Sequence, residues 1–228
     1  MGNFKFSDEK NVREVKSFSD LDENNEVKKE VETKSDVLDL VFLLDKSGSM
    51  YGAVKDTIGG FNSFIEREKA KNLDTRVTLV LFDHRYEVLY TRKPIDEVEE
   101  LTSDVYYADG CTALLDAIGT TINRLDKEIN NKVVFVITTD GLENSSKEYS
   151  KMDVRNLIAN HNWEFLFIGA DIDSYHEAAS IGIPRYRTAN YSKSSAGLGS
   201  LFRSVGRASE RTRGGGSLED GEWKKDLE

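Results

Sequence analysis

Apolar and polar positions alternate along this chain in two different patterns. Apolar runs of strand length occupy residues 37–44, 75–83, 132–139 and 163–169. In the segments that follow the strands, apolar residues recur every three or four positions, which is typical of a helix with one buried face. Strands that alternate with helices predict a mostly parallel sheet that is covered by helices on both faces.

The predicted helices lie between and after these strands, at residues 53–72, 112–128, 151–161, 173–181 and 195–211. The first helix contains Gly59 and Gly60, although glycine has a low helix propensity. We interpret this pair as a place where the helix approaches the sheet closely.

Only residues 83–85 separate the second strand from a third apolar segment at residues 86–92. Such a short link predicts an antiparallel hairpin, because a parallel connection needs a longer crossover. A short edge strand is expected at residues 183–186, where Pro184 is tolerated. The predicted fold class is therefore α/β: a Rossmann-like open, mostly parallel sheet with one antiparallel edge hairpin strand.

Both ends of the chain differ in composition from its middle. Residues 1–35 are dense in charge, which favours a charged N-terminal arm that is mobile or loosely docked, although an added strand or short helix stays possible. Residues 213–228 begin with a glycine-rich break and are expected to form a flexible C-terminal tail. The folded domain is thus predicted at residues 36–212.

Composition restricts the classes of partner. The chain has 228 residues, and its 41 acidic and 31 basic side chains leave a net charge of −10. A surface of that sign repels phosphates and anionic lipid, so we expect neither nucleic acid nor a membrane as a partner. No run approaches the ~20 apolar residues that span a bilayer. The N-terminus lacks an apolar signal region, and a single cysteine fits a reducing compartment, so a cytoplasmic protein is expected.

Candidate chemistry lies at the ends of the two most apolar strands. Asp45, Ser47 and Ser49 follow the first strand, and Asp140 follows the strand at residues 132–139. Hard divalent cations take oxygen ligands of these types. In open α/β sheets, ligands bind at the carboxyl ends of strands. Taken alone, the first three residues would equally suit a polar turn that caps the next helix.

The Asp-Lys-Ser-Gly-Ser pattern at 45–49 resembles the metal-ion-dependent adhesion site (MIDAS) of von Willebrand factor type A (VWA) domains. Thr112, in a Gly-Cys-Thr loop, and Asp140, in a Thr-Thr-Asp-Gly turn, match the two other parts of that motif. The resemblance covers residues 36–211. It implies that Ser47 and Ser49 bind Mg²⁺ or Mn²⁺ directly, and that Asp45, Thr112 and Asp140 bind directly or through water.

The resemblance further implies a VWA domain of the intracellular stand-alone type. Such a domain would be a protein-binding module and not an enzyme. A Glu or Asp of a partner protein would complete the coordination of the metal within an intracellular assembly. The alternative is a metal-dependent hydrolase, such as a phosphatase, that uses the same site. Ser47 stands where an aspartyl phosphatase would carry a second acid, and no phosphate-binding loop or serine-nucleophile motif is present. A scaffold that no longer binds metal is a third interpretation.

For several residues near the motif we expect a structural role, and for some of them a role at the metal site is the alternative. Cys111 is expected to be a small buried residue. Asp109 is either an acceptor behind the metal ligands or a helix cap. Asp83 and Asp171 are expected to be solvated loop residues, although both end predicted strands. Glu143 and Asn144, which follow the Asp140 turn, could shape the choice of ligand.

Overall fold

The computed structural model describes residues 37–227. The predicted N-terminal arm at residues 1–35 lies outside the described residues and stays a prediction. Among residues 37–227, no helix combines the length and the apolar character that crossing a bilayer requires.

Six strands form a single sheet among the described residues. In chain order they are β1 (Leu38–Asp45), β2 (Thr75–Phe82), β3 (Tyr86–Pro94), β4 (Lys132–Thr139), β5 (Glu164–Gly169) and β6 (Thr188–Asn190). Their order across the sheet is β3-β2-β1-β4-β5-β6, and only the β2–β3 pair is antiparallel. The predicted fold class is therefore confirmed.

Within residues 37–227, five α-helices cover the sheet: α1 (Val54–Lys69), α2 (Leu114–Leu125), α3 (Lys151–Asn160), α4 (Ser174–Ser180) and α5 (Ser195–Arg213). Helices α1 and α5 pack on one face, and α2, α3 and α4 pack on the other. Alternate residues of β1 point into the two cores, because successive side chains of a strand lie on opposite faces. Phe42 belongs to the α1/α5 core, and Val41 and Leu43 belong to the other. This explains why β1 is apolar at almost every position.

Two local predictions are wrong. The expected edge strand at residues 183–186 is not one: Arg185–Arg187 form a 3₁₀ turn, and β6 pairs with β5 from Thr188 onward. Pro184, which cannot donate a backbone hydrogen bond, precedes this turn. Gly60 does permit a close approach, but its neighbour is the ring of Phe202 on α5 and not the sheet.

The C-terminal segment is not the flexible tail that its glycine-rich start suggested. After α5 the chain turns back, and Leu218 and Trp223 are buried in the α1/α5 core. The indole Nε1 of Trp223 donates a hydrogen bond of 2.8 Å to the carbonyl of Tyr186. A large aromatic side chain gains enough from burial to order the few residues that carry it.

Candidate metal site

The site lies at the carboxyl edge of the sheet, where β1 and β4 end side by side. These two strands are parallel and hydrogen-bonded, with Leu44 opposite Thr138. Asp45 is the last residue of β1, and Asp140 directly follows β4. Parallel pairing therefore places two carboxylates that are distant in sequence at one edge of the sheet.

Hydrogen bonds join four of the five predicted ligands into one network. The hydroxyls of Ser47 and Ser49 are 3.1 Å apart, and Ser49 Oγ donates to Asp140 Oδ1 at 2.5 Å. Asp45 Oδ1 accepts the backbone N–H of Ser47 at 2.7 Å, and its Oδ2 accepts the hydroxyl of Thr139 at 2.6 Å. The network orients both carboxylates and both serine hydroxyls within one small volume.

Thr112, the fifth predicted ligand, lies against the same volume. It is buried, and the backbone N–H of Gly48 donates to the carbonyl of Gly110 at 3.1 Å, which ties the threonine loop to the serine loop. A Cβ at Gly141 would lie 2.7 Å from Thr112 Oγ1 and 3.6 Å from Ser49 Oγ. Gly141 therefore leaves a space that both hydroxyls border.

Burial dominates the electrostatics of Asp45. The pKa of this carboxyl is raised from 3.8 to about 6, chiefly by desolvation and to a smaller extent by the negative charge of Asp140. Hydrogen bonds from Thr139 and Ser47 oppose the rise without cancelling it. A buried carboxylate beside a second carboxylate is a favourable place for a cation, because a positive charge offsets both effects.

The donor set is made of oxygen atoms alone. Among the described residues, no group of three or more His, Cys, Asp or Glu side chains is arranged to hold a metal ion. This edge has two carboxylates and three neutral hydroxyls, a composition that fits a hard divalent cation such as Mg²⁺. The residues present thus fit such an ion, provided that the hydroxyls act as ligands.

The sequence of this chain matches the model of one protein family over most of its length. The sequence model of the von Willebrand factor type A domain matches residues 39–203, which is most of the chain. The chain belongs to the VWA domain family. VWA domains are metal-dependent protein-interaction modules, generally with roles in adhesion or binding.

Solved structures show the same fold. Proximal thread matrix protein 1 of the mussel byssus is 17% identical with a TM-score of 0.57; the match covers 76% of this chain and 46% of that chain. The same mussel protein with a zinc-occupied MIDAS motif gives 18% identity and a TM-score of 0.52, over 74% of this chain and 44% of that one. A von Willebrand factor type A protein from Catenulispora acidiphila is 16% identical with a TM-score of 0.53. That match covers 78% of this chain and 42% of the other chain.

This VWA domain thus spans less than half of the length of these three chains. At such identities the likeness establishes the fold alone. A comparison with curated proteins gives no match.

One charged residue at the site of this VWA domain was missed by sequence reasoning. Lys193, on the segment between β6 and α5, places its Nζ 3.0 Å from Asp140 Oδ2 and 2.7 Å from Asp171 Oδ2. It belongs to a short polar segment and to no motif. Only the pairing of β6 beside β5 brings it near the end of β4.

Acidic neighbours of the site have partners that the sequence did not suggest. Asp83 is buried and forms an ion pair with Arg85, so the expectation of a solvated loop residue is wrong for Asp83. Asp109 accepts a hydrogen bond from the same guanidinium at 3.1 Å. Arg85 therefore links the β2–β3 turn to the loop that carries Thr112.

Glu143 and Asn144, which follow the Asp140 turn, hold the loop that carries Thr112 in place. Asn144 Oδ1 accepts the backbone N–H of Thr112 at 3.0 Å, and the N–H of Asn144 donates to the carbonyl of Thr112 at 3.1 Å. Glu143 Oε2 accepts the N–H of Leu115 in the first turn of α2. Cys111, which was expected to be buried, is exposed.

Proposed function

We propose that this VWA domain carries an intact MIDAS that binds Mg²⁺ or Mn²⁺ through Asp45, Ser47, Ser49, Thr112 and Asp140. The observation that carries the proposal is a set of hydrogen bonds that links Asp45 to the backbone N–H of Ser47, the hydroxyl of Ser47 to that of Ser49, and the hydroxyl of Ser49 to Asp140. The zinc-occupied motif of the mussel protein supports a divalent ion in a fold of this kind.

The protein's own groups favour a metal that stays partly positive. Three of the five proposed ligands are neutral hydroxyls, which leave more of the positive charge of a divalent ion uncompensated than carboxylates in their place would. When bound, the metal would supply a positively charged coordination position open to an anionic ligand. We propose that a Glu or Asp of a partner protein fills this position.

The surface around the site suits a protein partner. Among the described residues, five large hydrophobic side chains are exposed, and three of them lie on the loops that carry the proposed ligands: Tyr51 (82% exposed), Tyr107 (44%) and Leu142 (55%). Tyr51 and Tyr107 also line a groove of about 520 Å³. Exposed apolar groups of this kind mark interaction surfaces. The partner is therefore an acidic side chain with apolar neighbours.

The setting that we propose is an intracellular assembly. A single cysteine in 228 residues fits a reducing compartment. A hydrolase that uses the same site is the alternative, and it would require a base or a nucleophile near the metal. A screen of p-nitrophenyl phosphate turnover with Mg²⁺ or Mn²⁺ separates the two, because turnover that is lost in Asp45→Asn would favour the hydrolase.

The binding proposal is tested first with the metal alone. We expect Mg²⁺ or Mn²⁺ at a hundredfold excess over Kd to raise the unfolding free energy by about 2.7 kcal/mol. The rise should disappear in Asp140→Asn and in the double variant Ser47→Ala/Ser49→Ala. Ser145→Ala, a serine of the same edge outside the network, is the matched control and should behave like the wild type. Equal stabilisation of all four proteins would place the ion elsewhere.

The binding of an acidic partner is tested with immobilised peptides that carry one Glu or Asp flanked by aromatic residues. Each peptide has a control in which Gln or Asn replaces the acidic residue. We expect retention of the acidic peptides in Mg²⁺, and their loss both in chelator and in the amide series. Retention that is unchanged by chelator would show that the recognised surface does not include the metal.

A further inference from the structure

Lys193 covers the outward side of the Asp140 carboxylate. The side chain of Asp140 has no exposed area, whereas that of Lys193 is 27% exposed and that of Asp171 is 65% exposed. The ammonium therefore lies between a fully enclosed carboxylate and a solvent-facing one. It is 3.0 Å from the first and 2.7 Å from the second.

Both oxygens of Asp140 have partners in this arrangement. Oδ1 accepts the hydroxyl of Ser49, and Oδ2 receives the ammonium of Lys193. A divalent ion that uses Asp140 would meet a positive charge already seated on that carboxylate. Two like charges a few ångströms apart repel each other strongly where water is partly excluded.

We propose that Lys193 competes with the divalent ion for Asp140 and thereby sets the metal affinity of this site. The proposal rests on the metal site proposed above. The ammonium stabilises the metal-free protein by neutralising Asp140, and metal entry requires it to withdraw from that carboxylate.

Asp171 gives the withdrawn ammonium a second partner. Its carboxylate is the nearer of the two to Lys193 Nζ, and it lies on the exposed side of the side chain. Lys193 can therefore leave Asp140 without losing every ion pair. Asp171 lowers the cost of metal entry in this way, so its effect on metal binding should depend on the presence of Lys193.

The test compares Lys193→Met with the wild type by calorimetric titration of Mg²⁺ and Mn²⁺. Methionine keeps the length and the apolar stem of lysine and removes the charge. We expect Kd for the metal to fall roughly tenfold. In chelator, the thermal midpoint of the variant should be lower than that of the wild type, because Asp140 has lost its counter-charge.

Lys147→Met is the matched control, since Lys147 belongs to the loop after Asp140 and forms no ion pair with that carboxylate. It removes the same charge from the same edge of the sheet, and its Kd should change by less than about twofold, as expected for an exposed and screened charge. An equal gain in affinity from both variants would mean that net charge alone is responsible, and would overturn the proposal.

A double-mutant cycle with Asp171→Asn completes the test. We expect this change to weaken metal binding more in the wild-type background than in the Lys193→Met background. Equal effects in the two backgrounds would overturn the role of Asp171 as the second partner of Lys193. Metal binding by the wild type with no gain in Lys193→Met would overturn the competition and leave the proposed metal site standing. Absence of metal binding in every variant would overturn the proposed function itself.

Discussion

At the scale of single residues, Asp45 and Asp140 differ in what surrounds them. Asp45 is buried and takes its hydrogen bonds from Ser47 and Thr139. Asp140 is instead neutralised by Lys193, across 53 positions of sequence. The proposed metal site thus combines a carboxylate that the protein leaves without a counter-ion and one that it supplies with a lysine.

The raised pKa of Asp45 predicts a pH dependence of metal-free stability. Its folded-state value of about 6 exceeds its ordinary value of 3.8, so the folded protein holds this proton over that interval and the unfolded chain does not. The contribution of Asp45 to stability is complete below about pH 4 and is lost as the pH rises to about 6. The loss corresponds to about 3 kcal/mol.

Urea unfolding in chelator between pH 4 and pH 7 checks this prediction against Asp45→Asn. The asparagine amide keeps the acceptor for Ser47 N–H and can donate to Thr139, whose hydroxyl also lies 3.1 Å from the carbonyl of Gly141. The variant should match the wild type near pH 4 and exceed its stability at pH 7. An identical pH profile for both proteins would contradict the assignment to Asp45.

At the scale of elements, the packing of α1 against α5 depends on one glycine of an adjacent pair. A Cβ at Gly60 would lie 2.6 Å from the ring of Phe202 on α5. A Cβ at Gly59 would meet no atom within 4 Å. The two glycines are neighbours in the same helix, yet only one of them is required by the contact between the helices.

Alanine at each position should therefore change stability in opposite directions. Gly59→Ala should raise the free energy of unfolding by up to about 1 kcal/mol through helix propensity. Gly60→Ala should lower it by about 1–3 kcal/mol, because Phe202 has to move within a packed core. Urea denaturation of the two variants measures both effects, and each variant is the control for the other. Stabilisation by both substitutions would show that the helices do not approach as closely as described.

At the scale of the whole molecule, the chain after α5 returns to close the α1/α5 core. Trp223 is completely buried, and the ammonium of the neighbouring Lys224 donates to the carbonyl of Thr188 on β6 at 2.8 Å. The segment therefore contacts the edge of the sheet that precedes the Lys193 loop. It is part of the folded unit, although the match to the VWA family ends at residue 203.

Trp223→Ala should consequently destabilise the protein by about 3–5 kcal/mol, through lost burial and the cavity that it leaves. Lys225→Ala, at an exposed position of the same segment, should be nearly neutral. Thermal or urea unfolding distinguishes the two outcomes. At temperatures where both variants remain folded, their metal affinities should be equal. A neutral Trp223→Ala would restore the view of residues 214–227 as a flexible tail.

Sequence by itself determined the fold class, the antiparallel pairing of β2 with β3 and the residues proposed for the site. Apolar runs such as β1 report burial on both faces, because an exposed face would require polar residues at alternate positions. The short link between β2 and β3 requires an antiparallel pair. The five proposed ligands were found because residue type and local spacing encode them; their metal-binding role itself stays a proposal.

Tertiary structure decided the partners of those residues. Lys193 reaches Asp140 only because β6 lies beside β5, and Arg85 of the β2–β3 turn reaches Asp109 only because two separate loops meet. Trp223 is buried only because α5 leaves a core for it to close. These contacts join residues that are distant in the chain and follow no repeating pattern, so periodicity and local composition carry no signal for them. The counter-charge on Asp140, on which the metal affinity is proposed to depend, is therefore a property of the folded chain.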